Sequence, residues 1–219
     1  MSVTTVHLVR HGEVENPDHI LYERLEGFPL SERGERMAAA TGEFMASFAP
    51  FQNVAHVVSS PLERTRQTAQ IITDRINTFR QTHHLPALVC HTDERLIEAS
   101  NEFRGTRIGY GQGALWRPKN WKLIANLHKP SWGESYEHIA QRMHEVVLDL
   151  VDAHPGQQVL AVSHESPIWS LRMLLEQGSP EHWMFARRTA LASITSLSFD
   201  CDSHELLSIS YANPAADVA

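Results

Sequence analysis

The segment TTVHLVRHGE, residues 4–13, decides the fold of this chain, because an apolar strand ends there in polar residues. Thr4–Val9 is rich in β-branched side chains, which favour extended backbone. It runs directly into Arg10, His11 and Gly12. We therefore predict a buried strand whose carboxyl end carries a reactive turn, at the position where ligands bind in parallel α/β sheets.

Helical and strand-like patterns alternate along the rest of the chain. Serine caps, Ser-Pro pairs and apolar residues at helical spacing mark the helices, and short β-branched runs mark the strands. The predicted elements are a helix from about Ser31, a strand at Val54–Val58, a helix capped by Ser59-Ser60-Pro61, a strand at Ala87–Cys90, a helix from Ser135 to about His154, a strand at Val159–Val162, a helix from Ser166-Pro167, and a hairpin of Ser193–Phe199 with Glu205–Ser210. This alternation predicts an α/β fold, a three-layer α/β/α sandwich with a mostly parallel central sheet.

The chain length fits one such domain, spanning residues 1–219. A chain of 219 residues is enough for one sizeable α/β domain and too short for two comfortable ones. No internal repeat, low-complexity tract or linker interrupts the pattern. The tail from Asn213 to Ala219 continues neither a strand nor a helix pattern, so we predict that it is frayed.

Composition and charge exclude several classes of protein. The net charge is −7, which argues against general nucleic-acid binding, since that depends on a basic surface. No apolar stretch is long enough to span a bilayer, and the first residues lack the pattern of a signal peptide. Cys90 and Cys201 are the only cysteines, which fits a reducing compartment. We therefore expect a cytoplasmic protein with neither a nucleic-acid nor a membrane partner.

Three predicted strands end in polar residues that are capable of chemistry. These ends are Arg10-His11, the segment Ser59–Arg64, and Ser163-His164. Parallel strands bring their carboxyl ends to one edge of a sheet, so the three segments are expected to converge there. Each segment alone would be a weak signal, because short motifs match by chance.

Together these residues have the chemistry that phosphoryl transfer to a side chain needs. A neutral imidazole at His11 can attack phosphorus, while the guanidinium groups of Arg10 and Arg64 match the phosphate oxygens. His164 can donate to the same oxygens at a helix start, which also favours an anion. Gly12 would keep the turn open for close approach of backbone.

Six stretches of the chain resemble the histidine phosphatase superfamily in its phosphoglycerate-mutase-like branch. They occur in the family's order and cover most of the chain, as LVRHGE at 8–13, LSERG at 30–34, SSPLERTRQTA at 59–69, DERLIE at 93–98, GES at 133–135 and VLAVSHESPI at 159–168. The resemblance implies the phosphoglycerate-mutase-like fold and a phosphorylated histidine at His11. It also implies a phosphate pocket made by Arg10, Arg64 and His164.

The resemblance further implies that Glu98 is the general acid and that Gly27 belongs to a loop lining the pocket. Glu98 would protonate the leaving oxygen and then activate water against the phosphohistidine. An acid at neutral pH needs a raised pKa, which burial favours and nearby arginines oppose. Asp93, Glu94 and Glu102 lie close by in the sequence, so composition alone does not select Glu98.

The chain departs from the family pattern near both histidines. Glu165 follows His164 where many relatives carry glycine, and we expect its carboxylate to repel strongly anionic substrates or to shape the pocket. Asn16 comes one residue earlier than the asparagine of many relatives, and it is predicted to be a weak phosphate contact. Phosphoglycerate mutases carry an asparagine two residues after the second histidine, whereas this chain has Ser166, and the sequence after Glu98 also lacks the mutase pattern. Hydrolysis is therefore favoured over cofactor-dependent mutase activity.

A variable insert at about residues 103–133 is basic and aromatic. It has no acidic residue and contains Arg104, Arg107, Arg117, Lys119, Lys122, Lys129, Trp116, Trp121 and Trp132. In relatives this insert lies over the mouth of the active site. We hypothesise a cationic lid in which Arg107 and Arg117 bind substrates with a second anionic group or a flat or sugar face. The alternative is that the tryptophans form local core and the lysines are solvated.

Three other functions remain open on the sequence alone. The first is a metal enzyme, prompted by the fourteen histidines, although His83, His84, His128, His138 and His144 have no carboxylate or cysteine at ligand spacing. The second is a non-catalytic phospholigand-binding module, and the third is a phosphoprotein phosphatase. We favour a phosphomonoesterase that acts on a small phosphorylated metabolite without a metal or an organic cofactor, with a homodimer as a compatible assembly.

Overall fold

The computed structural model describes residues 2–48, 51, 53–107, 133–183 and 187–219. The elements in these ranges are β1 (Val3–Arg10), α1 (Glu32–Ser47), β2 (Val54–Ser59), α2 (Glu63–Thr82), β3 (Cys90–Thr92), α3 (Tyr136–Ala153), β4 (Gln158–Ser163), α4 (Glu165–Gln177), β5 (Ile194–Asp200) and β6 (Leu206–Ala212). A 3-10 turn at Glu94–Leu96 follows β3.

The strands form a six-stranded sheet in the order β3-β2-β4-β1-β5-β6. The first four strands of that order run parallel, and β5 and β6 continue the sheet in antiparallel fashion. The register pairs Arg10 with Ser163 and Ser59 with Val162. The turns that follow β1, β2 and β4 therefore leave the sheet side by side. The mostly parallel sheet predicted from the sequence is confirmed.

Alternate side chains of the central strands face two separate hydrophobic cores. Leu160 and Val162 of β4 pack with residues of α1 and α2, whereas Val159 and Ala161 pack with residues of α3 and α4. This division follows from the two-residue period of a strand. Helices cover both faces of the sheet, so the three-layer α/β/α sandwich is confirmed.

The predicted serine cap of α1 is present, whereas the one predicted for α2 is wrong. The hydroxyls of Ser31 and Ser135 each accept the backbone N–H of the third residue ahead. Helix α2, by contrast, begins only at Glu63, with Leu62 at the cap position and no side-chain cap. The predicted serine cap fails because the hydroxyl of Ser60 bonds to a histidine side chain instead.

Strand β3 overlaps the predicted span of residues 87–90 only at its last residue, Cys90. The side chain of Asn77 explains the difference, because it forms hydrogen bonds with both the N–H and the carbonyl of Leu88. Asn77 Nδ2 donates to the Leu88 carbonyl at 3.0 Å, and the Leu88 N–H donates to Asn77 Oδ1 at 2.7 Å. These backbone groups are then unavailable to the sheet, and pairing with β2 starts at Cys90.

The predicted fraying of the tail at residues 213–219 is also wrong. Ala215 is 2% exposed and packs in a small core with Met37 of α1. Arg33 of α1 donates from Nε to the carbonyl oxygen of Val218 at 3.1 Å. The tail is mostly small apolar residues, which were enough to dock it although they form no periodic pattern.

Neither a disulfide nor a membrane helix is found in the described part of the chain. Cys90 and Cys201 are both free thiols. Among the described helices, none combines the length and the apolar character that crossing a lipid bilayer requires. Packing and hydrogen bonds therefore stabilise the fold of these residues.

His7 is a buried histidine that links three strands of the sheet. It lies on β1, and its Nε2–H donates to Gln158 Oε1 of β4 at 3.0 Å, because a carbonyl oxygen only accepts. Its Nδ1 then accepts from the Ser196 hydroxyl of β5 at 2.8 Å. Burial lowers the pKa of His7 to about 4, and the bond to Gln158 opposes this in part. His7 is therefore neutral at physiological pH.

We expect the free energy of unfolding to decrease as the pH falls from about 6.5 to about 4, with His7 responsible for part of the decrease. In the unfolded chain His7 has its usual pKa of 6.5, so it takes up a proton that the folded chain excludes until the pKa of about 4. The unfolded state binds more protons in this window, and the shift implies a loss of ~3 kcal/mol. Urea unfolding across this range should show a shallower pH dependence for His7→Gln. The exposed His83→Gln control should keep the wild-type dependence, and identical slopes for wild type and His7→Gln would contradict the prediction.

Candidate active site

Three side chains from different strand ends meet at the carboxyl edge of the sheet. His11 follows β1, Arg64 lies in the first turn of α2 behind β2, and His164 follows β4. The rings of His11 and His164 have centroids 5.2 Å apart, and Arg64 Nη2 lies 3.3 Å from His164 Nδ1. All three residues are buried, with exposures of 2%, 1% and 0%. The structure thus brings together the predicted nucleophile and two of its predicted phosphate ligands.

The imidazole of His11 is held in one tautomer. Its Nδ1 lies 2.7 Å from the carbonyl oxygen of Gly12, and since a carbonyl only accepts, Nδ1 carries the proton. The lone pair is therefore on Nε2. Burial lowers the pKa of His11 well below its usual value, and the positive charges of Arg64 and Arg10 lower it further. A neutral imidazole with this orientation is chemically suited to nucleophilic attack through Nε2.

Gly12 holds the loop of His11 directly against helix α1. A Cβ atom on Gly12 would lie 2.5 Å from the carbonyl oxygen of Gly34, and a Cβ atom on Gly34 would overlap the carbonyl oxygen of Glu13. The N–H of Gly12 also donates to Thr68 Oγ1 of α2 at 3.1 Å. Close approach of backbone does require glycine here, and the partner is the first turn of α1.

The guanidinium group of Arg64 is held by partners on more than one side. It lies over the ring of Tyr22, with its central carbon 4.7 Å from the ring centroid. Its Nη2 donates to the backbone carbonyl of Glu23 and also approaches His164. Such partners are needed because a buried charge without them carries a large desolvation penalty.

Arg10 and Arg64 each keep one buried donor without an acceptor. Arg10 uses its Nη1 to bond to Glu165 Oε1 at 2.8 Å and to the Thr189 carbonyl at 2.5 Å. The Nε atoms of Arg10 and Arg64 are both buried and have no hydrogen-bond partner. Unsatisfied buried donors are rare in proteins, and an anion with several oxygens, such as phosphate, would satisfy them.

His164 has a hydroxyl partner that supports either of its tautomers. Its Nδ1 accepts from Arg64, so the proton lies on Nε2 and is donated to Ser60 Oγ at 2.8 Å. Burial lowers the pKa of His164 well below its usual value, and the neighbouring His11 and the charge of Arg64 also disfavour a positive charge on its ring. Because a hydroxyl can also donate, Ser60 would equally accommodate a proton on Nδ1. The sequence placed Ser60 in a helix cap and missed this role.

A cavity of about 300 Å³ opens beside His11, a volume suited to a small ligand. Its described wall is formed by the loop after β1, the segment after the 3-10 turn and the first turns of α3 and α4. The lining includes Arg10, His11, Tyr22, Glu23, Glu98, Glu134, Glu165, Ser166 and Arg187.

Glu98 lines this cavity, and its backbone is anchored. Arg24 Nε donates to the Glu98 carbonyl at 2.6 Å, and the Ala99 N–H donates to Glu98 Oε1 at 2.8 Å. Burial raises the pKa of Glu98, while the bond from Ala99 and the charges of Arg187 and Arg64 oppose the rise. The sequence left open which effect is larger, and in the structure burial is.

The other carboxylates near Glu98 in the sequence lie elsewhere. Asp93 accepts from the backbone N–H of Arg95 at the start of the 3-10 turn and forms an ion pair of 2.7 Å with the same residue. Glu94 and Glu102 are exposed. None of these carboxylates is in the described lining of the cavity.

Glu23 is a second carboxyl group on the cavity wall, and sequence reasoning missed it. Its Oε1 accepts from Asn101 Nδ2 at 3.2 Å. Burial and the negative charge of Glu98 raise the pKa of Glu23 to about 8, while the bond from Asn101 opposes the rise. Glu23 and Glu98 therefore titrate as an interacting pair. Contacts with distant segments hold the loop of Glu23 at the site, through Arg64, Asn101 and the Leu21–Gly105 backbone pair, and no local pattern reveals such contacts.

Glu165 lies between two arginines at the start of α4. Its Oε1 is 2.8 Å from Arg10 Nη1, and its Oε2 is 4.0 Å from Arg187 Nη1. Arg187 also donates to His182 Nε2 at 2.9 Å and to the Tyr136 hydroxyl at 3.3 Å. Sequence reasoning missed Arg187, because it precedes β5 in a segment without strand or helix periodicity.

Two of the weaker predictions lie outside the cavity lining. Asn16 uses its side-chain amide locally, with Nδ2 donating to the Ile20 carbonyl at 2.9 Å and Oδ1 accepting the Ile20 N–H at 3.1 Å. Gly27 is exposed and has a φ of 80°, a conformation that favours glycine. The structure therefore brings neither residue to His11.

Most of the hypothesised lid, including Arg117, lies outside the described residues. Of its described part, Arg107 is exposed and forms an ion pair of 2.7 Å with Asp18. Arg107 is not in the described lining of the cavity. The neighbouring Gly105 donates its N–H to the Leu21 carbonyl at 2.9 Å, which fixes the base of the insert to the loop after β1.

The described residues contain no group of three histidine, cysteine, aspartate or glutamate side chains that could hold a metal ion. Of the histidines that prompted the metal hypothesis, His83 bonds within the end of α2 and His138 pairs with Glu134 at 2.8 Å. The metal-independent mechanism stays a prediction.

The fold and its strand-edge site have the features of an α/β protein that binds an anion beside a nucleophilic imidazole. The family model of the histidine phosphatase superfamily (branch 1) matches residues 6–211. The chain belongs to this superfamily, in its phosphoglycerate-mutase-like branch, and the family predicted from the sequence is confirmed.

Individual relatives match this chain over most of its length. The chain is 41% identical over 213 residues to the uncharacterized protein Rv0525 of Mycobacterium tuberculosis, covering 97% of this chain and 98% of that protein. It is 28% identical over 200 residues to the uncharacterized phosphatase PhoE of Bacillus subtilis, covering 90% and 89%. The solved structure of the mycobacterial glucosyl-3-phosphoglycerate phosphatase Rv2419c matches with a TM-score of 0.73 at 24% identity, covering 96% and 99%. At that identity, the match shows a shared fold.

Proposed function

We propose that this protein hydrolyses a small phosphomonoester through a covalent phosphohistidine at His11. The observation that carries the proposal is a neutral His11, protonated on Nδ1, beside Arg10 and Arg64 with their unpaired buried Nε–H donors. Such a site offers a lone pair to phosphorus and fixed positive charge to the phosphate oxygens. Membership of the histidine phosphatase superfamily supports the same class of reaction.

In the first half-reaction, the Nε2 lone pair of His11 attacks phosphorus, and the bond from phosphorus to the ester oxygen breaks. Arg10 and Arg64 stabilise the charge on the non-bridging oxygens. The protonated carboxyl of Glu98 gives its proton to the leaving alkoxide, which departs as an alcohol. The bond from Nδ1–H to the Gly12 carbonyl stabilises the positive charge that develops on the ring.

In the second half-reaction, the Glu98 carboxylate takes a proton from water as the water oxygen attacks phosphorus. The phosphorus–nitrogen bond breaks, its electron pair returns to His11, and inorganic phosphate leaves. A bound phosphate anion favours a proton on His164 Nδ1, so His164 would then donate to a phosphate oxygen. Ser60, which can donate to Nε2, would stabilise that tautomer.

Three observations favour hydrolysis over return of the phosphate to a second substrate. Ser166 lines the cavity where phosphoglycerate mutases carry an asparagine. The carboxylate of Glu165 lies 4.0 Å from Arg187, a cation that could otherwise hold the second anionic group of a phosphoglycerate. The relative in Bacillus subtilis is described as a phosphatase. A cofactor-dependent mutase is the alternative.

A substrate panel combined with intermediate trapping tests the proposal. Sugar phosphates, phosphoglycerates, nucleotides and phosphoamino acids would be scored for release of inorganic phosphate, with and without 2,3-bisphosphoglycerate. We expect hydrolysis without the bisphosphate, and an acid-labile, alkali-stable phosphoryl group on the peptide that contains His11. Turnover only with the bisphosphate would identify a mutase. Failure to detect a phosphoenzyme in reactions quenched under both acidic and alkaline conditions would contradict the mechanism.

Several finer predictions belong to the same proposal. The two free thiols, Cys90 and Cys201, support a reducing cytoplasm as its location. Activity that survives exhaustive chelation would eliminate the metal enzyme, and release of phosphate from phosphoamino acids in proteins would favour the phosphoprotein phosphatase. The lid function of residues 103–133, the single domain and the homodimer stay predictions.

A further inference from the structure

We infer that Glu165 determines substrate choice by keeping a second anionic group out of the cavity. The inference rests on the proposed phosphomonoesterase activity. Of the two substrate types predicted for the lid, it keeps the flat or sugar face and excludes the second anionic group. The favoured substrates are phosphomonoesters whose alcohol part carries no negative charge, such as polyol phosphates. Phosphorylated carboxylic acids are the disfavoured class.

The position of Glu165 places its charge beside the expected site of chemistry. It is the first residue of α4 and directly follows His164, at a helix end that favours anions. Its side chain is 32% exposed and lines the cavity, so an entering ligand can meet it. The carboxylate thus occupies the region where the helix end would otherwise attract an anionic part of the substrate.

Glu165 also neutralises the cation that could bind a second anion. Among the described lining residues, the arginines are Arg10 and Arg187. Glu165 is 2.8 Å from Arg10 and 4.0 Å from Arg187. Arg10 retains its buried Nε–H for the phosphoryl group, whereas Arg187 has further partners in His182 and Tyr136. A second anionic group would therefore meet Arg187, whose charge is already partly balanced, and the carboxylate of Glu165.

The other carboxylates of the described wall do not repel an anion in the same way. Glu134 forms ion pairs of 2.7 and 2.9 Å with two arginines, and its side chain is only 7% exposed. Glu23 and Glu98 are carboxyl groups that burial shifts towards the neutral form. Glu165 is therefore the wall carboxylate whose charge an incoming ligand experiences most directly.

A hydroxyl group completes the complementarity to an uncharged alcohol. Ser166, the residue after Glu165, is 5% exposed and lines the cavity, and its Oγ has no hydrogen-bond partner. A hydroxyl can both donate and accept, so it suits the hydroxyl of a polyol. The wall thus combines an unsatisfied hydroxyl, which suits an uncharged alcohol, with a partly exposed carboxylate, which disfavours an anion.

A matched pair of ligands tests the inference. Glycerol 3-phosphate and 3-phosphoglycerate share a three-carbon skeleton and differ in an alcohol or a carboxylate at the far carbon. Their inhibition constants would be measured against p-nitrophenyl phosphate hydrolysis, which does not require either compound to be a substrate. We expect wild type to bind glycerol 3-phosphate at least about tenfold more tightly than 3-phosphoglycerate. Glu165→Gln should reduce this ratio of inhibition constants about tenfold, because one close like-charge repulsion is removed.

Two control variants separate local charge from its alternatives. Glu165→Asp keeps the negative charge and should keep most of the wild-type preference. Glu176→Gln changes the net charge equally at the far end of α4, where Glu176 pairs with Arg172, and should leave the ratio unchanged. If Glu165 only orients Arg10, Glu165→Gln would weaken both ligands equally and leave their ratio intact, which would overturn the inference.

The outcome can be read even if the proposed function fails. Absence of p-nitrophenyl phosphate hydrolysis by wild type would count against the phosphatase, and calorimetric dissociation constants for the same two ligands would then give the ratio. The same measurement applies if Glu165→Gln folds but loses turnover. A wild-type ratio near one, or a ratio that Glu165→Gln does not change, would overturn the inference in either assay.

Discussion

Replacing His11 with alanine should abolish phosphate release from every substrate that wild type hydrolyses. The loss should be at least ~10⁴-fold in kcat, because the covalent route disappears and residues acting as one catalytic unit do not substitute for one another. Arg10 and Arg64 remain in this variant, so inorganic phosphate should still bind. Steady-state assays, together with phosphate binding by calorimetry, measure the two expectations separately.

The appropriate control for His11→Ala is a histidine that is remote from the cavity lining. His83→Ala, at the exposed end of α2, should keep wild-type turnover. Because His11 is buried, His11→Gln provides a second variant with a larger polar side chain, and circular dichroism would establish that both variants fold. A folded His11 variant with more than a tenth of wild-type activity would mean that another residue is the nucleophile.

Replacing Glu98 with glutamine should lower turnover of alkyl phosphates by ~10²–10⁴-fold, the range typical of a general acid–base. Glutamine fills nearly the same space but can neither give a proton to the leaving oxygen nor take one from water. With p-nitrophenyl phosphate, whose leaving group needs no proton, the first half-reaction should survive and the second should not. The expected signature is a burst of nitrophenol with equimolar accumulation of phosphohistidine.

Glu102→Gln is the matched control, because Glu102 lies four residues further along and is exposed outside the cavity lining. It should behave like wild type with both kinds of leaving group. An equal loss for alkyl and nitrophenyl esters in Glu98→Gln, without a burst, would assign Glu98 a binding role and leave the acid unidentified.

The pH dependence of kcat/KM in wild type tests the role of the Glu98 carboxyl independently of mutation. Glu98 must be protonated to begin the reaction, so kcat/KM should fall as the pH rises through the higher apparent pKa of the Glu23–Glu98 pair. Burial raises the pKa of both groups, so this fall is expected at a higher pH than an ordinary glutamate carboxyl would give. The residual activity of Glu98→Gln should lack this dependence.

The strand ends were the most predictable part of the site. β1, β2 and β4 are buried apolar runs, and such runs indicate parallel strands regardless of distant contacts. Parallel pairing then brings Arg10, His11 and His164 to one edge by geometry alone. Arg64 follows because α2 begins just behind β2. The family resemblance added Glu98, which no periodicity would have selected.

The residues that the sequence did not reveal depend on distant or competing contacts. Ser60 has the local sequence of a helix cap, but a buried histidine competes for its hydroxyl. Glu23 and Arg187 reach the cavity on loops whose course is set by tertiary contacts. Leu88 lies in a strand-like segment, yet the Asn77 side chain occupies its backbone. In each case a contact with another segment of the chain decides the outcome, and local patterns contain no information about it.

The close backbone contact between Gly12 and Gly34 means that helix α1 helps to position the His11 side chain. No described residue of α1 lines the cavity, yet main-chain atoms of its first turn touch the loop of His11 without a side chain between them. Any displacement of that turn would therefore shift the imidazole by a similar amount, and in-line attack tolerates little misplacement. The accuracy with which His11 is positioned for attack would thus depend on how rigidly α1 packs against the rest of the fold.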